Sequence, residues 1–343
     1  MVKAMNVVLA SIVIVNFNGK EYLEKCLTSL KRQTYPNFEV IFVDNNSTDG
    51  SCDFIEQNFN DFVRLIKNPI NHGFAKANNI GLRIANGKYI VVLNNDTLVD
   101  ELWLENLIKA AELSKDIGMC ASKIYLAQEQ GIIDSTGINI YPDGIAKQRG
   151  WLEKDSKQYD DKNDVLLPSG CAALYRKEML DQIGLFDEMF FAYCEDTDLG
   201  LRGRLAGWRC VFVPEAKVYH FYSGFWKKHL LRKIFFIERN RILLVYKNFS
   251  AGLIVTSYYY YLVRLAYHFI GVLFKKGVVS QYMTNVSLLA ILITIIKAHF
   301  DAYRHLPQIL RKRKKLDNSR GVEASLNQVL KKYAVKVGEI TLR

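Results

Sequence analysis

An α/β fold on a mostly parallel sheet, followed by a helical basic region, is predicted for this chain of 343 residues. Three observations predict it. Short apolar, β-branched runs alternate with amphipathic stretches over residues 1–100, as expected of right-handed βαβ units. Three of the four runs end in Asn and Asp, at the strand ends where open parallel sheets bind ligands. Charge is also split: the overall net of +11 divides into −6 over residues 1–225 and +17 over residues 226–343. An acidic domain therefore precedes a basic appendage.

The elements follow in order. SIVIVNF (11–17) reads as a buried strand stopped by Asn18-Gly19. Residues 20–33 set Tyr22, Leu23, Cys26, Leu27 and Leu30 at helical spacing. FEVIFVD (38–44), VRLIKN (63–68) and KYIVVLNND (88–96) are further strands, with a helix over 73–85. Residues 117–167 are less regular. PSGCAALYRKEML reads as a turn and strand entering a helix, EDTDLGLRGRLAGW as a helix stopped by Gly207, and CVFVPEAKVYHF as a strand. Beyond Trp226 the chain turns apolar and aromatic over 252–274 and apolar over 287–296, and RKRKK follows at 311–315.

Composition excludes several classes. Half the residues are apolar and 24% charged, a globular mix. Six scattered Cys without a CxxC pair disfavour a disulfide scaffold or a thiolate zinc site and suit a reducing compartment. The apolar N-terminal run lacks a small-residue cleavage pattern and is expected to be the first strand, not a signal peptide. GxGxxG after the first strand, GxxxxGK[ST] and HExxH are absent from the sequence, so dinucleotide, P-loop and zincin readings lose their main support.

Four places carry candidate chemistry. Asp44, at a strand end before Asn-Asn-Ser-Thr, has no capping duty there, whereas Asp49 or Ser51 can cap the next helix. Asp96 follows an apolar strand beside amide side chains, a hard-cation pattern for Mg²⁺ or Mn²⁺ shared with a bound phosphate. EDTD (195–198) is either a helix start favoured by the macrodipole or a source of a general base. His220 closes a strand, and its interest comes from its company.

SIVIVNFNG, VDNNSTDGS, NPINHGFAKANN, GKYIVVLNND, SGCAALYR, FFAYCEDTDLGLRGRLAGW and PEAKVYH, in this order, resemble the family-two glycosyltransferases of the GT-A fold, most closely their rhamnosyltransferase-like branch. The resemblance runs from residue 11 to about 248. It implies that Asp44 contacts the nucleotide base, with Asn16 and Asn18 beside it and Asn78, Asn94 and Asn95 near the nucleotide-sugar. Asp96 resembles the last Asp of the DxD metal motif, with Asn94 in place of the first. His220 resembles a further metal or diphosphate ligand, and the implied cofactor is Mg²⁺ or Mn²⁺. Asp196 resembles the catalytic base. Ser169, Gly170 and Glu195 fall on the acceptor side.

The implied activity is inverting, metal-dependent transfer from a nucleoside-diphosphate sugar, dTDP-rhamnose or a UDP-sugar, to a hydroxyl of a glycan or lipid-linked acceptor in cell-surface polysaccharide synthesis. The QxxRW motif of processive synthases is absent, so one sugar per encounter is expected. The division is a catalytic domain over 1–225, with a nucleotide-sugar half over about 1–115 and an acceptor half over about 116–225, then a helical region over 226–316 and a tail over 317–343.

For the basic region the expected place is the cytoplasmic face of the cell membrane. Aromatic residues with Lys227, Lys228, Arg232, Lys233, Lys275 and Lys276 suit a helix in the interface, and Arg264 and His268 argue against a clean span. Packing on the catalytic domain or on another copy in a homo-oligomer is the bland alternative. Nucleic acid is not an expected partner, because no recognised reader module occurs. Competing functions are a membrane-bound scaffold with a degenerate domain and a sugar-nucleotide nucleotidyltransferase.

Overall fold

The structure, a computed structural model, describes residues 10–222, 229–284, 286–317 and 324–341. Lys227 and Lys228 lie outside them. The chain divides into two compact units, Met1–Ile138 with Gln148–Ser223, and Asn139–Lys147 with Gly224–Arg343.

In the first unit the chain runs β1 (Ala10–Asn16), α1 (Lys20–Lys31), β2 (Phe38–Asp44), α2 (Ser51–Asn58), β3 (Val63–Lys67), α3 (Gly73–Leu82), β4 (Tyr89–Asn94), β5 (Thr97–Val99) and α4 (Trp103–Glu112). It continues through β6 (Ile117–Leu126), β7 (Ile133–Ser135), β8 (Ile138–Ile140), β9 (Ala146–Gln148) and β10 (Asp164–Val165). It closes with β11 (Ala172–Arg176), α5 (Lys177–Ile183), α6 (Glu195–Leu205) and β12 (Arg209–His220). β8 and β9 pair with each other, and their residues 139–147 count with the second unit. The main sheet has the order β10-β12-β6-β11-β4-β1-β2-β3, with β5 on β12 and β7 on β6.

β1 to β4 are mutually parallel where they pair, and β11 is antiparallel to both neighbours. The central strands read as continuous apolar runs because helices cover both faces. On one face Ile12, Ile14, Phe42, Val91 and Leu93 pack with Leu23 and Leu27 of α1 and with Trp103 and Leu107 of α4. On the other, Val13, Ile41, Val43 and Val92 pack with Ala75 and Ala77 of α3, Met179 of α5 and Leu199 of α6.

One expectation is corrected here. Residues 117–126, read as irregular, form β6, a strand buried along its whole length. Gly118, Ser122 and Lys123 interrupt its apolar pattern, and each is accommodated by tertiary contacts. Ser122 Oγ accepts from the Trp103 indole at 2.9 Å, and Lys123 Nζ pairs with Asp155 at 3.0 Å and Asp160 at 2.5 Å.

The second unit is helical: α7 (Leu230–Asn248), α8 (Ala251–Leu273), α9 (Gly277–Tyr282), α10 (Leu288–Arg304) and α11 (Leu306–Asp317), then two short helices, Ala324–Lys332 and Val337–Thr341. Among the described residues no helix is long and apolar enough to cross a membrane. Arg264 does not interrupt an exposed apolar face. It is buried, with Nε on Asp143 Oδ2 at 2.6 Å and its two Nη atoms on the Glu238 carboxylate at 2.9 and 3.1 Å. Arg241 adds a second cation to this cluster, donating to Glu238 Oε2 at 3.0 Å. Burial opposes ionisation of Glu238, but the charges of Arg264 and Arg241 outweigh it and hold the carboxyl well below its ordinary 4.5. The stability it contributes is therefore present above that value and is lost as pH falls below it. Arg264→Ala leaves two buried carboxylates short of their partner. It is expected to destabilise the chain by about 3–5 kcal/mol, read as a lowered midpoint in denaturant unfolding.

Candidate active site

Sheet register gathers the candidate residues at one edge. Asn16 ends β1 opposite Asp44, which ends β2, and Val15 stands opposite Asn94 at the end of β4. β11 runs the other way, so its start lies at the same edge: Ala172 faces Leu93, and Asn94 N donates to Cys171 O at 2.8 Å. Asp44, Asp96 and the Ser169-Gly170 turn, far apart in sequence, are thereby brought to one rim.

Side chains tie this rim together. Asn16 Nδ2 donates to Asp44 Oδ1 at 3.0 Å, and Asn95 Nδ2 donates to Asn16 Oδ1 at 2.6 Å. Asp44 Oδ2 accepts from Ser47 N at 2.9 Å, and Ser47 Oγ accepts from Asn18 N at 2.9 Å. Asn18 adopts a positive φ of 52° and its Oδ1 accepts from Thr48 N. Gly19 is required by the close approach: a Cβ there would stand 2.1 Å from Asn95 Nδ2. Asn45, which sequence reasoning passed over, anchors the loop before α3 by accepting from Asn68 Nδ2 and His72 N and donating to Asn71 Oδ1 and Gly73 O. The signal was the Asn doublet after Asp44.

Asp96 and His220 meet because β5 pairs antiparallel with β12, setting Thr97 opposite His220. Asp96 Oδ1 lies 3.3 Å from His220 Nε2, and both residues are buried. The other ring nitrogen, Nδ1, lies 2.7 Å from Asp134 Oδ2. Asp134 was not anticipated. It sits on β7, a strand of three residues that pairs with β6, and β6 pairs in turn with β12. Cys171 Sγ completes a cluster in which the ligand atoms of Asp134, Cys171 and His220 lie within 4.8 Å of one another. Burial disfavours the charged imidazolium. Cys171 and the hydrogen bonds to Asp134 and Asp96 outweigh it and raise His220 well above its ordinary range. Burial also raises Cys171, against the lowering effect of His220.

This donor set fits a divalent cation. Asp134 on Nδ1 fixes the ring and leaves Nε2 as the ligand atom once its proton is displaced, the carboxylate–histidine arrangement of metal sites. An imidazole with a carboxylate suits Mn²⁺, and the oxygen of Asp96 suits Mg²⁺.

The EDTD motif splits by role. Asp198 is structural, accepting from Arg202 Nε at 2.9 Å inside α6. Asp196 faces the rim: its Oδ2 accepts from Gly170 N at 3.0 Å and its Oδ1 from Thr197 N at 2.6 Å. Burial raises its carboxyl above the ordinary 3.8, against the lowering effect of those hydrogen bonds. Glu195 is raised well above 4.5, by burial first and then by the charge of Asp196, and its Oε2 has no hydrogen-bond partner among the described residues.

The loop feeding α6 stores strain, with Phe191, Tyr193 and Cys194 all at φ between 61° and 69°. Its position is set against α3. Ala75 N donates to Phe191 O at 3.2 Å, and a Cβ on Gly73 would meet the Phe191 ring at 2.5 Å. Asn78 lies fully buried on α3; its Nδ2 donates within the helix to Phe74 O, and its Oδ1 has no partner among the described residues. No hydrogen bond joins it to the other candidates among the described residues.

The chain is 30% identical over 224 residues to the O-antigen biosynthesis protein RfbC of Myxococcus xanthus, a match covering 62% of this chain and 17% of that one. It is 27% identical over 230 residues to the N-acetylglucosaminyl-diphospho-decaprenol L-rhamnosyltransferase of Mycobacterium tuberculosis, covering 61% of this chain and 75% of that one. The chain thus spans a small part of the first relative and most of the second. Its fold is similar to that of mannosyltransferase PcManGT from Pyrobaculum calidifontis, solved with GDP-Man and Mn²⁺. The TM-score is 0.54 at 16% identity, covering 90% of this chain and 85% of that one, a likeness of fold alone. The GT-A-type α/β architecture expected from the motifs is borne out. Residues 11–184, half of the chain, match Glycosyl transferase family 2, and the chain belongs to that family.

Proposed function

We propose that the chain transfers one sugar per encounter from a nucleoside-diphosphate sugar to a hydroxyl of a glycan or lipid-linked acceptor in cell-surface polysaccharide synthesis. The observation that carries this reading is the continuous line of contacts Asp44–Asn16–Asn95, with Asp96 and His220 next along the rim and Asp196 held by Gly170 across it. Asp44 offers carboxylate oxygens to the N–H of a uracil or thymine base. Asp96 and His220 Nε2 would hold a divalent cation, which when bound neutralises charge on the leaving diphosphate.

Asp196 Oδ2 takes the proton of the acceptor hydroxyl while that oxygen bonds to the anomeric carbon. The bond from that carbon to the diphosphate oxygen breaks on the opposite face, so configuration inverts. The raised carboxyl of Asp196 makes it a better proton acceptor than an ordinary Asp. Burial opposes ionisation of its neighbour Glu195 and so disfavours a second charge beside the base.

dTDP-rhamnose is the first donor candidate, supported by the rhamnosyltransferase relative, with UDP-hexoses behind it. The acceptor class is supported by the diphospho-decaprenol in that relative's name. The cytoplasmic membrane face is the proposed place of action, supported by the net of +17 over residues 226–343. Nucleoside-diphosphate release from a panel of nucleotide sugars, with a polyprenyl-diphosphate-linked sugar as acceptor and Mn²⁺ or Mg²⁺ present, tests the reading. Release from one or two donors, abolished by chelator, is expected. Release from none, with the chain folded, would contradict it.

A further inference from the structure

Helix α8 is built inside out for a helix in water. The residues it buries are Ser257, Arg264 and Gly271, one every seven positions, while its large apolar side chains point outward. Leu262, Phe269 and Leu273 are 63–65% exposed. α10 buries Ile291, Ala298 and Ala302, while Leu289, Ile296 and Phe300 are 67–72% exposed. The two helices touch where Tyr258 Oη and Tyr303 Oη are 3.1 Å apart and the rings of Tyr261 and His299 are 5.5 Å apart. Their exposed apolar residues run along helices of about 34 and about 25 Å. Exposed apolar surface on this scale marks an interaction site.

The charges around it select the occupant. Lys275 and Lys276, just past α8, and Lys297 and Arg304, on α10, are exposed. Between Ala251 and Lys314 the sequence holds one acid, Asp301, and Arg239 Nε holds it at 2.6 Å. A second copy would bring two such cationic rims together. An anionic bilayer surface accepts the apolar faces and attracts the rim.

We infer that the exposed faces of α8 and α10 form a docking surface that lies in the interface of an anionic lipid bilayer, with Arg264 locked inward by Asp143 and Glu238 to keep the outward face apolar. This rests on the membrane reading above and names the face responsible. It does not depend on sugar transfer.

The test is flotation of the full chain with vesicles of phosphatidylcholine alone and of phosphatidylcholine mixed with anionic phosphatidylglycerol, whose surface potential attracts basic segments. The chain is expected to float with the anionic vesicles and to bind the neutral ones about tenfold less. Phe269→Glu with Ile296→Glu is expected to lower partitioning about tenfold or more. The rim variant Lys275→Glu with Lys276→Glu, at exposed positions, is expected to lower it as well and to steepen the loss in salt. Circular dichroism like that of the unmodified chain certifies that both variants are folded. Unchanged flotation of both variants would overturn the inference while leaving membrane localisation standing. No flotation of the unmodified chain would overturn both. Self-association in vesicle-free buffer that the Phe269/Ile296 variant abolishes, without vesicle binding, would assign the face to a second copy and overturn the inference.

Discussion

Asp196→Asn is expected to lower kcat by at least about 10²–10⁴-fold, the contribution of a positioned general base. Donor binding is expected to persist, because Asn can still accept from Gly170 N, as Asp196 Oδ2 does at 3.0 Å. The unmodified enzyme supplies a second readout. The base works only when deprotonated, and burial raises its carboxyl above the ordinary 3.8. Activity is therefore lost as pH falls through the raised value, and the acidic limb of kcat against pH lies above that of an ordinary Asp. The limb is expected to vanish in the Asn variant. A rate like that of the unmodified enzyme at neutral pH would remove Asp196 as the base.

Asp134→Asn is expected to weaken Mn²⁺ binding about 10–100-fold, read by electron paramagnetic resonance of free Mn²⁺ without donor or turnover. Asp134 does not touch the proposed cation position. It lies 2.7 Å from His220 Nδ1 and so fixes which nitrogen faces Asp96. An amide in its place can hold either tautomer and loses the charge that favours Nδ1–H. His220→Ala in the same assay removes the ligand itself and is expected to exceed the Asp134 effect. Unchanged Mn²⁺ affinity in a folded Asp134→Asn chain would show that the Asp134–His220 contact is structural only.

What was readable in the sequence divides along physical lines. β2 was bounded at 38–44 because a buried parallel strand is a continuous apolar run with a polar stop, a purely local signal. Asp44 emerged the same way, as a strand-end acid without a cap to make. Asp134 did not, because its position depends on pairings of strands of three residues with partners far along the chain, and His220 is 86 residues away. Strand β5 was absorbed into the reading of 88–96 and the helix after it for the same reason: three residues carry too little periodicity to separate a new strand from a turn. In the sequence Arg264 argues against a clean span, but which side of the helix it takes is not legible there, because hydropathy averages around a helix. Asp143 and Glu238, distant in sequence, decide that it faces inward. In EDTD the resemblance singles out Asp196, and the physical ground for separating it from the structural Asp198 lies in the Arg202 and Gly170 contacts, which no local signal in the sequence carries.

Titration calorimetry of dTDP and UDP into the chain with Mn²⁺ present tests the common rim most directly. Binding of at least one of the two is expected, lost with chelator, weakened about tenfold or more by Asp44→Asn through the lost base contact, and retained by Asp196→Asn. Absence of binding by either nucleotide to the folded chain, or equal affinity in Asp44→Asn, would contradict the assignment of this sheet edge as a nucleotide-sugar site.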